Sequence, residues 1–184
     1  MESVVFSEII DLDTIEITEL FDVLYDYFCE NFVDKKTYLN SNIYINPKSN
    51  QKDDGKELVF WHLTTRETKI QKKVGNRWIV EKERLPDYRR SERLVWIKKI
   101  IENHAIDEVK MFYHQETNVT KDIRLYLWLK DYDFVVILQK LGKSSSYLVT
   151  SFYVDREGKR QEYQKRYKNY NSKKDVKLIG CEWF

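Results

Sequence analysis

The sequence has few of the residues from which disulfide frameworks and metal centres are built. Its 184 residues include two cysteines, Cys29 and Cys181, too few for a disulfide framework or a four-ligand metal site. The three histidines, at positions 62, 104 and 114, lack the spacing of metal ligands. We therefore expect two free thiols in a reducing compartment and no bound metal.

The motifs of several enzyme classes are absent as well. The sequence contains no Walker A loop, GxGxxG, HExxH, CxxC pair or GxSxG. This argues against a nucleotide-cofactor, redox or zinc enzyme, and we expect no cofactor. The N-terminal stretch lacks the basic and apolar regions of a signal peptide, and no apolar run reaches membrane-spanning length. We expect a cytoplasmic protein that does not contact membranes.

Glycine and proline are also scarce, and the charges are unevenly distributed. With 5 Gly, 2 Pro and 42% apolar residues, the chain can build a sizeable core and is not dominated by loops. Residues 1–34 carry ten acidic residues and no Lys or Arg, whereas 156–177 carry nine Lys or Arg and three acids. A basic C-terminal part is compatible with nucleic-acid binding, although opposite ends that attract each other would give the same pattern.

Three strand patterns follow one another in the C-terminal half. They show apolar–polar alternation, a short apolar run, or enrichment in β-branched and aromatic residues, and they cover 122–130, 134–139 and 146–154. Short turns between them predict an antiparallel meander. A basic helix is predicted over 155–170, where lysines and arginines interleave with tyrosines.

The N-terminal half predicts two helices and several weaker elements. Helical spacing of apolar residues predicts an acidic amphipathic helix over 15–32, after the N-cap candidate Thr14. A second helix is predicted over 87–103, directly after Pro86. The other assignments are a strand or irregular segment at 37–45, a loop at 47–55, a strand at 57–64, a charged connection at 67–75, a short strand at 78–80 and an edge strand at 104–114.

Together these elements predict an α+β fold. We expect an antiparallel sheet of about four strands, with the meander at its C-terminal end and helices packed on one face. The acidic helix is assigned to an N-terminal extension, residues 1–50, and the main domain to residues 51–184. We expect both parts to form one compact unit.

The candidates for chemistry are polar residues placed next to apolar segments. His62 interrupts the apolar run at 57–64, and its ring titrates nearest to neutral pH. Arg66 follows four residues later, at the end of the same predicted strand. Arg89 and Arg93 share one face of the predicted helix because they are four residues apart, with Arg90 between them.

Three hydroxyl groups interrupt the last predicted strand: Thr150, Ser151 and Tyr153. In a regular strand Thr150 and Ser151 point to opposite faces. Both faces contain apolar residues, so the pattern leaves open which hydroxyl faces a cleft. A β-bulge would place both nearby.

These residue types suit cleavage of the RNA backbone without a metal. His62 would act as base or acid, Arg66 with Arg89 or Arg93 would hold the phosphate, and Thr150 or Tyr153 would orient it or donate a proton. Arginine suits this role because its planar guanidinium grips phosphate oxygens in pairs. The ordinary alternatives are a strand-end histidine, a solvated arginine face and hydroxyl residues that simply favour strands.

The order of these segments resembles the phage and prophage-linked branch of the barnase–EndoU–colicin–RelE superfamily of ribonucleases. The similarity covers 57–165, and its most specific part is the passage VTSFYVDREGKR at 149–160. It implies a helical layer on a four-stranded antiparallel sheet and a metal-independent ribonuclease, often a toxin. It also implies functional roles for His62, Arg66, Arg89 or Arg93, Thr150 and Tyr153.

RNA is therefore the expected partner, and an antitoxin or immunity protein is a second candidate partner. The basic helix would contact RNA through Arg156, Lys159, Arg160 and Lys165. The alternatives are a non-catalytic RNA-binding or protein-interaction module on the same scaffold, in which this helix grips phosphates and stacks bases, and a phage structural factor.

Overall fold

A central sheet and two separate hairpins account for all strands of the computed structural model, which describes residues 6–184. The strands are Tyr38–Leu39 (β1), Ile43–Asn46 (β2), Lys52–Asp53 (β3), Lys56–Glu57 (β4), Thr65–Val74 (β5), Arg77–Pro86 (β6), Val109–Gln115 (β7), Ile123–Leu129 (β8), Phe134–Leu141 (β9) and Ser145–Tyr153 (β10). The central sheet has the order β1-β2-β10-β9-β8-β7.

The predicted meander is confirmed, but the sheet is larger and mixed. β8, β9 and β10 are antiparallel neighbours, and β7 forms the expected edge strand beside β8. β2 pairs with β10 in parallel, which gives six strands instead of about four. The segment at 37–45, for which a strand or an irregular segment was expected, contains β1 and most of β2. β1 pairs with β2, and β2 joins the sheet through its pairing with β10.

Helices cover both faces of the sheet, which corrects the expectation of one. They are Leu20–Phe28 (α1), Leu58–Thr64 (α2), Tyr88–Ser91 (α3), Leu94–Glu102 (α4) and Glu157–Asn171 (α5). The first face packs against α1, α2 and α4 in the larger hydrophobic core. On the opposite face, Tyr163 of the predicted basic helix α5 packs against Phe112, Tyr126 and Trp128. The central strands therefore have apolar side chains on both faces, and this is clearest in β9, whose first five residues form a continuous apolar run.

Residues 58–64 form helix α2, and the strand predicted at 57–64 is wrong. Most of its side chains are buried, and Phe60 contacts the rings of Tyr25 and Phe28 on α1. A short segment that is buried nearly all round has no distinctive period, so its apolar run cannot separate a helix from a strand. His62 consequently lies on the last turn of a helix.

The other two predicted helices are shorter than expected. α1 begins at Leu20 and ends in a π-helical turn, Cys29–Val33. Residues 15–19, which were predicted to be part of the helix, lie outside it, and the side chain of Ile17 is exposed. The helix predicted at 87–103 is broken between α3 and α4, where the carbonyl oxygen of Glu92 accepts a hydrogen bond from Ile10 N (2.8 Å).

β5 and β6 form a long two-stranded ribbon where a charged connection and a short strand were predicted. They pair from Thr65–Pro86 at the base to Val74–Arg77 at the tip. Gly75 begins the two-residue loop with φ +60°, as a type II′ hairpin turn requires. Nearly all ribbon side chains are exposed, so the ribbon projects from the body.

The division near residue 50 stays a prediction, and its first five residues lie outside the described part of the chain. β1 and β2, which precede that division, belong to the sheet, and α1 packs against α2 and α4. At the other end Trp183 N donates a hydrogen bond to the hydroxyl of Tyr113 (3.1 Å), so the C-terminal residues are docked. No helix within residues 6–184 has the length and apolar character needed to cross a bilayer.

The packing of α5 can be tested by removing its buried ring. We expect Tyr163→Ala to lower the free energy of unfolding by about 3–5 kcal/mol, as for other large-to-small changes of buried aromatics. Lys165→Ala, two residues away on the exposed side of α5, should change it by less than about 0.5 kcal/mol. Urea unfolding followed by circular dichroism measures both, and equal midpoints would show that α5 is not packed on the sheet.

Candidate functional site

An open cleft lies beside the unpaired edge of β10. β2 pairs only with the start of this strand, up to Tyr147, and α2 and α3 lie against the part that follows. The pairing of β10 with β9 shifts between Leu148 and Thr150, which marks a β-bulge at Val149. The cleft has a volume of about 460 Å³ and is lined by Trp61, His62, Thr65, Arg66, Glu67, Arg84, Arg90, Val149 and Thr150.

His62 is the titratable group of the cleft nearest to neutral pH. Its carbonyl oxygen accepts hydrogen bonds from Arg90 Nη1 (3.0 Å) and Thr150 Oγ1 (3.3 Å), which fix the end of α2. Burial within the cleft lowers the pKa of the ring, and the positive charges of Arg84, Arg90 and Lys48 lower it further. His62 is therefore a neutral imidazole at pH 7, able to accept a proton.

A buried carboxylate, Asp87, pairs with two of the arginines that line the cleft. Asp87, with 8% of its surface exposed, caps α3 by accepting a hydrogen bond from Arg90 N (3.3 Å). Its Oδ2 lies 3.1 Å from Arg66 Nη2 and 3.1 Å from Arg90 Nε. The side chain of Arg66 keeps 55% of its surface exposed, whereas that of Arg90 keeps 18%. Arg66 thus faces the cleft, and Arg90 ties its walls together.

Arg89 and Arg93 enclose the ring of Tyr153. Their guanidinium carbons lie 5.0 and 5.5 Å from the ring centroid, within cation–π distance. Arg93 also donates a hydrogen bond to the Arg89 carbonyl (3.0 Å) and pairs with Glu92. Its charge is therefore engaged within the protein. Arg66 is also paired, with Asp87 and more distantly with Asp155 (3.9 Å), but its side chain is more exposed than that of Arg93, 55% against 19%.

At the bulge, the hydroxyl of Thr150, and not that of Ser151, faces the cleft. Thr150 lines it, while Ser151 is fully buried and its Oγ has no hydrogen-bond partner among the described residues. Tyr153 lies in an adjoining recess of about 260 Å³ that Arg66 and Arg90 also line. The predicted residues His62, Arg66 and Thr150 thus share one cleft, and Tyr153 is next to it.

The four cations predicted on α5 have different surroundings. Arg156 and Lys159 line the recess beside Tyr153. Arg160 donates two hydrogen bonds to Asp133 (2.7 and 2.6 Å), which raise its pKa and tie α5 to the β8–β9 turn. Lys165 is exposed on the far side of α5 from the sheet. Arg156 and Lys159 are therefore the two cations of this set that adjoin the cleft.

No role in the cleft was predicted from the sequence for Asp87 or Arg84, nor were the hydrogen bonds made by Arg90. Asp87 stands three residues before Arg90, which is the spacing of an N-cap and of an i,i+3 ion pair, and this signal was readable. Arg84 reaches the cleft because β6 pairs with β5. Its position could therefore be predicted only if the ribbon were recognised from the sequence. Within residues 6–184 no three His, Cys, Asp or Glu side chains converge as metal ligands.

The surroundings of His62 make its titration a direct test of the site. Arg84→Gln removes one of the positive charges that lower the pKa of His62, so we expect that pKa to rise toward its usual value. His114 is an internal control, because burial and Arg166 lower its pKa on another part of the sheet. Ring titrations followed by NMR measure both, and an unchanged His62 would contradict this geometry.

No family model matches the chain, and no curated protein or solved structure shows significant similarity to it. The resemblance to the ribonuclease superfamily therefore stays a prediction. The case for a function depends on the geometry of the cleft.

Proposed function

We propose that the protein is a metal-independent endoribonuclease that cleaves RNA through attack of the 2′-hydroxyl on the adjacent phosphate. The observation that carries this proposal is the position of His62, a histidine with a lowered pKa in an open cleft that Arg66, Arg84 and Arg90 also line. A neutral base beside several cations is what this reaction needs at neutral pH.

His62 is the base in this mechanism. The neutral imidazole takes the proton of the 2′-hydroxyl as that oxygen attacks phosphorus, and the bond from phosphorus to the 5′-oxygen breaks. The products are a 2′,3′-cyclic phosphate and a new 5′-hydroxyl. The lowered pKa keeps most of the imidazole unprotonated at pH 7, so the base is available.

Arg66 is the phosphate ligand best placed for this reaction. Asp87 fixes one edge of its guanidinium, and 55% of the side chain remains exposed toward substrate. Arg90 is a positioning residue, since it holds the His62 carbonyl and pairs with Asp87. A guanidinium held in advance gains more from a developing negative charge than a mobile one.

The structure changes how we assign the remaining candidate residues. Arg89 and Arg93 hold the ring of Tyr153, so we propose positioning roles for both. The Thr150 hydroxyl is bonded to the His62 carbonyl, which leaves the hydroxyl of Tyr153 as the donor for the departing 5′-oxygen. Arg156 and Lys159 would bind neighbouring phosphates of the substrate.

An acidic antitoxin or immunity protein remains part of the proposal as a partner in trans. The acidic helix α1 packs on α2 and α4, and none of its residues lines the cleft. α1 therefore leaves the cleft open, so a separate acidic chain would be needed to cover these cations.

A non-catalytic RNA-binding module is the second candidate function. It is favoured by the ion pairs that already engage the arginines of the cleft, notably Arg66 with Asp87 and Arg84 with Asp53 (2.8 Å). Such a module would bind RNA with strong salt dependence and leave it intact.

Incubation with total RNA and tRNA in excess EDTA separates the two functions. We expect the wild type to produce fragments with cyclic phosphate ends, and His62→Gln to lose at least about a hundredfold in rate, the usual contribution of general base catalysis. His114→Gln is the matched control, because His114 lies on β7 away from the cleft. Full activity of a folded His62→Gln protein would refute the assignment, and salt-sensitive binding without products would favour the binding module.

The pH dependence of cleavage gives a second test. The unprotonated fraction of His62 rises with pH, so kcat/KM should rise with pH and level off above the pKa of His62. That pKa is lower than the usual value for histidine, so the rise should occur at correspondingly lower pH. Arg84→Gln raises that pKa and should move the rising limb to higher pH. A limb that stays in place while the NMR titration of His62 moves would exclude His62 as the base.

A further inference from the structure

The exposed ribbon of β5 and β6 has two different faces. Directly paired residues of antiparallel strands point to the same side. One side, the Trp78 face, consists of Glu67, Lys69, Gln71 and Lys73 on β5 with Trp78, Val80, Lys82 and Arg84 on β6. The other side, the Ile79 face, consists of Arg66, Thr68, Ile70, Lys72 and Val74 with Arg77, Ile79, Glu81, Glu83 and Leu85.

The Trp78 face is strongly positive. It has four cations and a single acid, whereas the Ile79 face has three cations and two acids. Lys69 lies directly opposite Lys82, and like charges in such a pair destabilise a hairpin. Among the described residues Lys69 and Lys73 make no ion pair, so their charges are available to a ligand.

An exposed indole lies at the far end of the same face. Trp78 is 68% exposed, whereas Trp61, Trp96 and Trp128 are buried in the body. Its cross-strand partner is Lys73. An aromatic ring beside a cation can stack on one base while the cation contacts its phosphate.

The near end of the Trp78 face enters the cleft. Glu67 and Arg84 are a paired couple of this face, and both line the cleft together with His62. From Glu67 to Lys73 the strand rises by about 20 Å at 3.3 Å per residue. The Trp78 face therefore runs without interruption from the tip of the ribbon to the cleft that contains His62.

We propose that the Trp78 face is a track for single-stranded RNA that leads into the His62 cleft. This inference rests on the proposed function, because it takes RNA as the ligand of the cleft. Lys69 and Lys73 contact phosphates along the track, and Trp78 stacks on a base at its end. The enzyme therefore favours unpaired substrates several nucleotides long over dinucleotides.

Binding of a fluorescent 12-nucleotide RNA with 2′-O-methyl groups on every ribose tests the track, because this RNA has no 2′-hydroxyl to attack. We expect Trp78→Ala to weaken binding about tenfold, the effect of losing one stacked base, and Trp78→Phe to restore most of it. Ile79→Ala, the neighbouring residue on the other face, should bind as the wild type does.

Salt dependence tests the lysines separately. The double variant Lys69→Ala/Lys73→Ala should reduce the slope of log K against log salt by about 1.4, at about 0.7 for each lost phosphate contact of a single strand. Lys72→Ala should leave the slope unchanged, because Lys72 is on the other face and 3.7 Å from Glu81.

Any of three results of the RNA-binding assay would overturn the track: equal losses of affinity for Trp78→Ala and Ile79→Ala, no loss for either variant, or equally tight binding of a duplex of the same sequence. A fourth contrary result would be a protein partner that binds the Ile79 face while the protein does not bind RNA.

Cleavage assays distinguish failure of the track from failure of the proposed nuclease function. If the wild type cleaves a dinucleotide and a 12-nucleotide RNA with equal kcat/KM, the nuclease function is supported and the track is refuted. If RNA binding depends on Trp78 but no RNA is cleaved, the track is supported and the nuclease function is refuted.

Discussion

Asp87 connects three of the elements that surround the cleft: β5, α3 and α2. Its side chain pairs with Arg66 at the base of the ribbon and with Arg90 on α3. Its backbone N donates to the Thr64 carbonyl at the end of α2 (2.9 Å). A buried carboxylate without partners would cost several kcal/mol, so the two arginines and the acid hold one another in place. Chain segments far apart in sequence are thereby held around His62.

The sequence predicted the longer elements of the C-terminal half, and it misassigned several shorter or exposed elements of the N-terminal half. β8, β9, β10 and α5 are long and patterned enough to recognise. α2 is a seven-residue helix, too short and too uniformly buried to show a period. The ribbon did carry a readable signal, Gly75 followed by Asn76 between two extended segments, which is typical of a two-residue hairpin loop.

His62, Arg66 and Thr150 lie together as expected from the sequence, although part of the structure that carries them was predicted wrongly. His62 and Arg66 were placed at the end of a strand, and they lie at the end of a helix and the start of β5. Both assignments leave them at the same junction, which is why the residues converge. The sequence could not show that Arg90 and Arg93 contact different residues. Arg90 lies before the break between α3 and α4 and contacts the His62 carbonyl, whereas Arg93 lies at the break and contacts the ring of Tyr153. The hydrogen bond from Ile10 N to the Glu92 carbonyl is a contact at this break that the sequence pattern does not show.

If the cleft acts on RNA as proposed, the ribbon would link substrate binding to the chemistry of the cleft through shared residues. Arg84 belongs to the Trp78 face and also lowers the pKa of His62. In the proposed mechanism, the charge that attracts a phosphate would therefore also keep the base unprotonated. A phosphate bound beside Arg84 would offset that positive charge and let the pKa of His62 rise again. Substrate on the track would thus bring the base closer to the pKa at which it can both accept and release a proton near neutral pH. In the proposed mechanism, the same electrostatics would make occupancy of the ribbon and proton transfer interdependent.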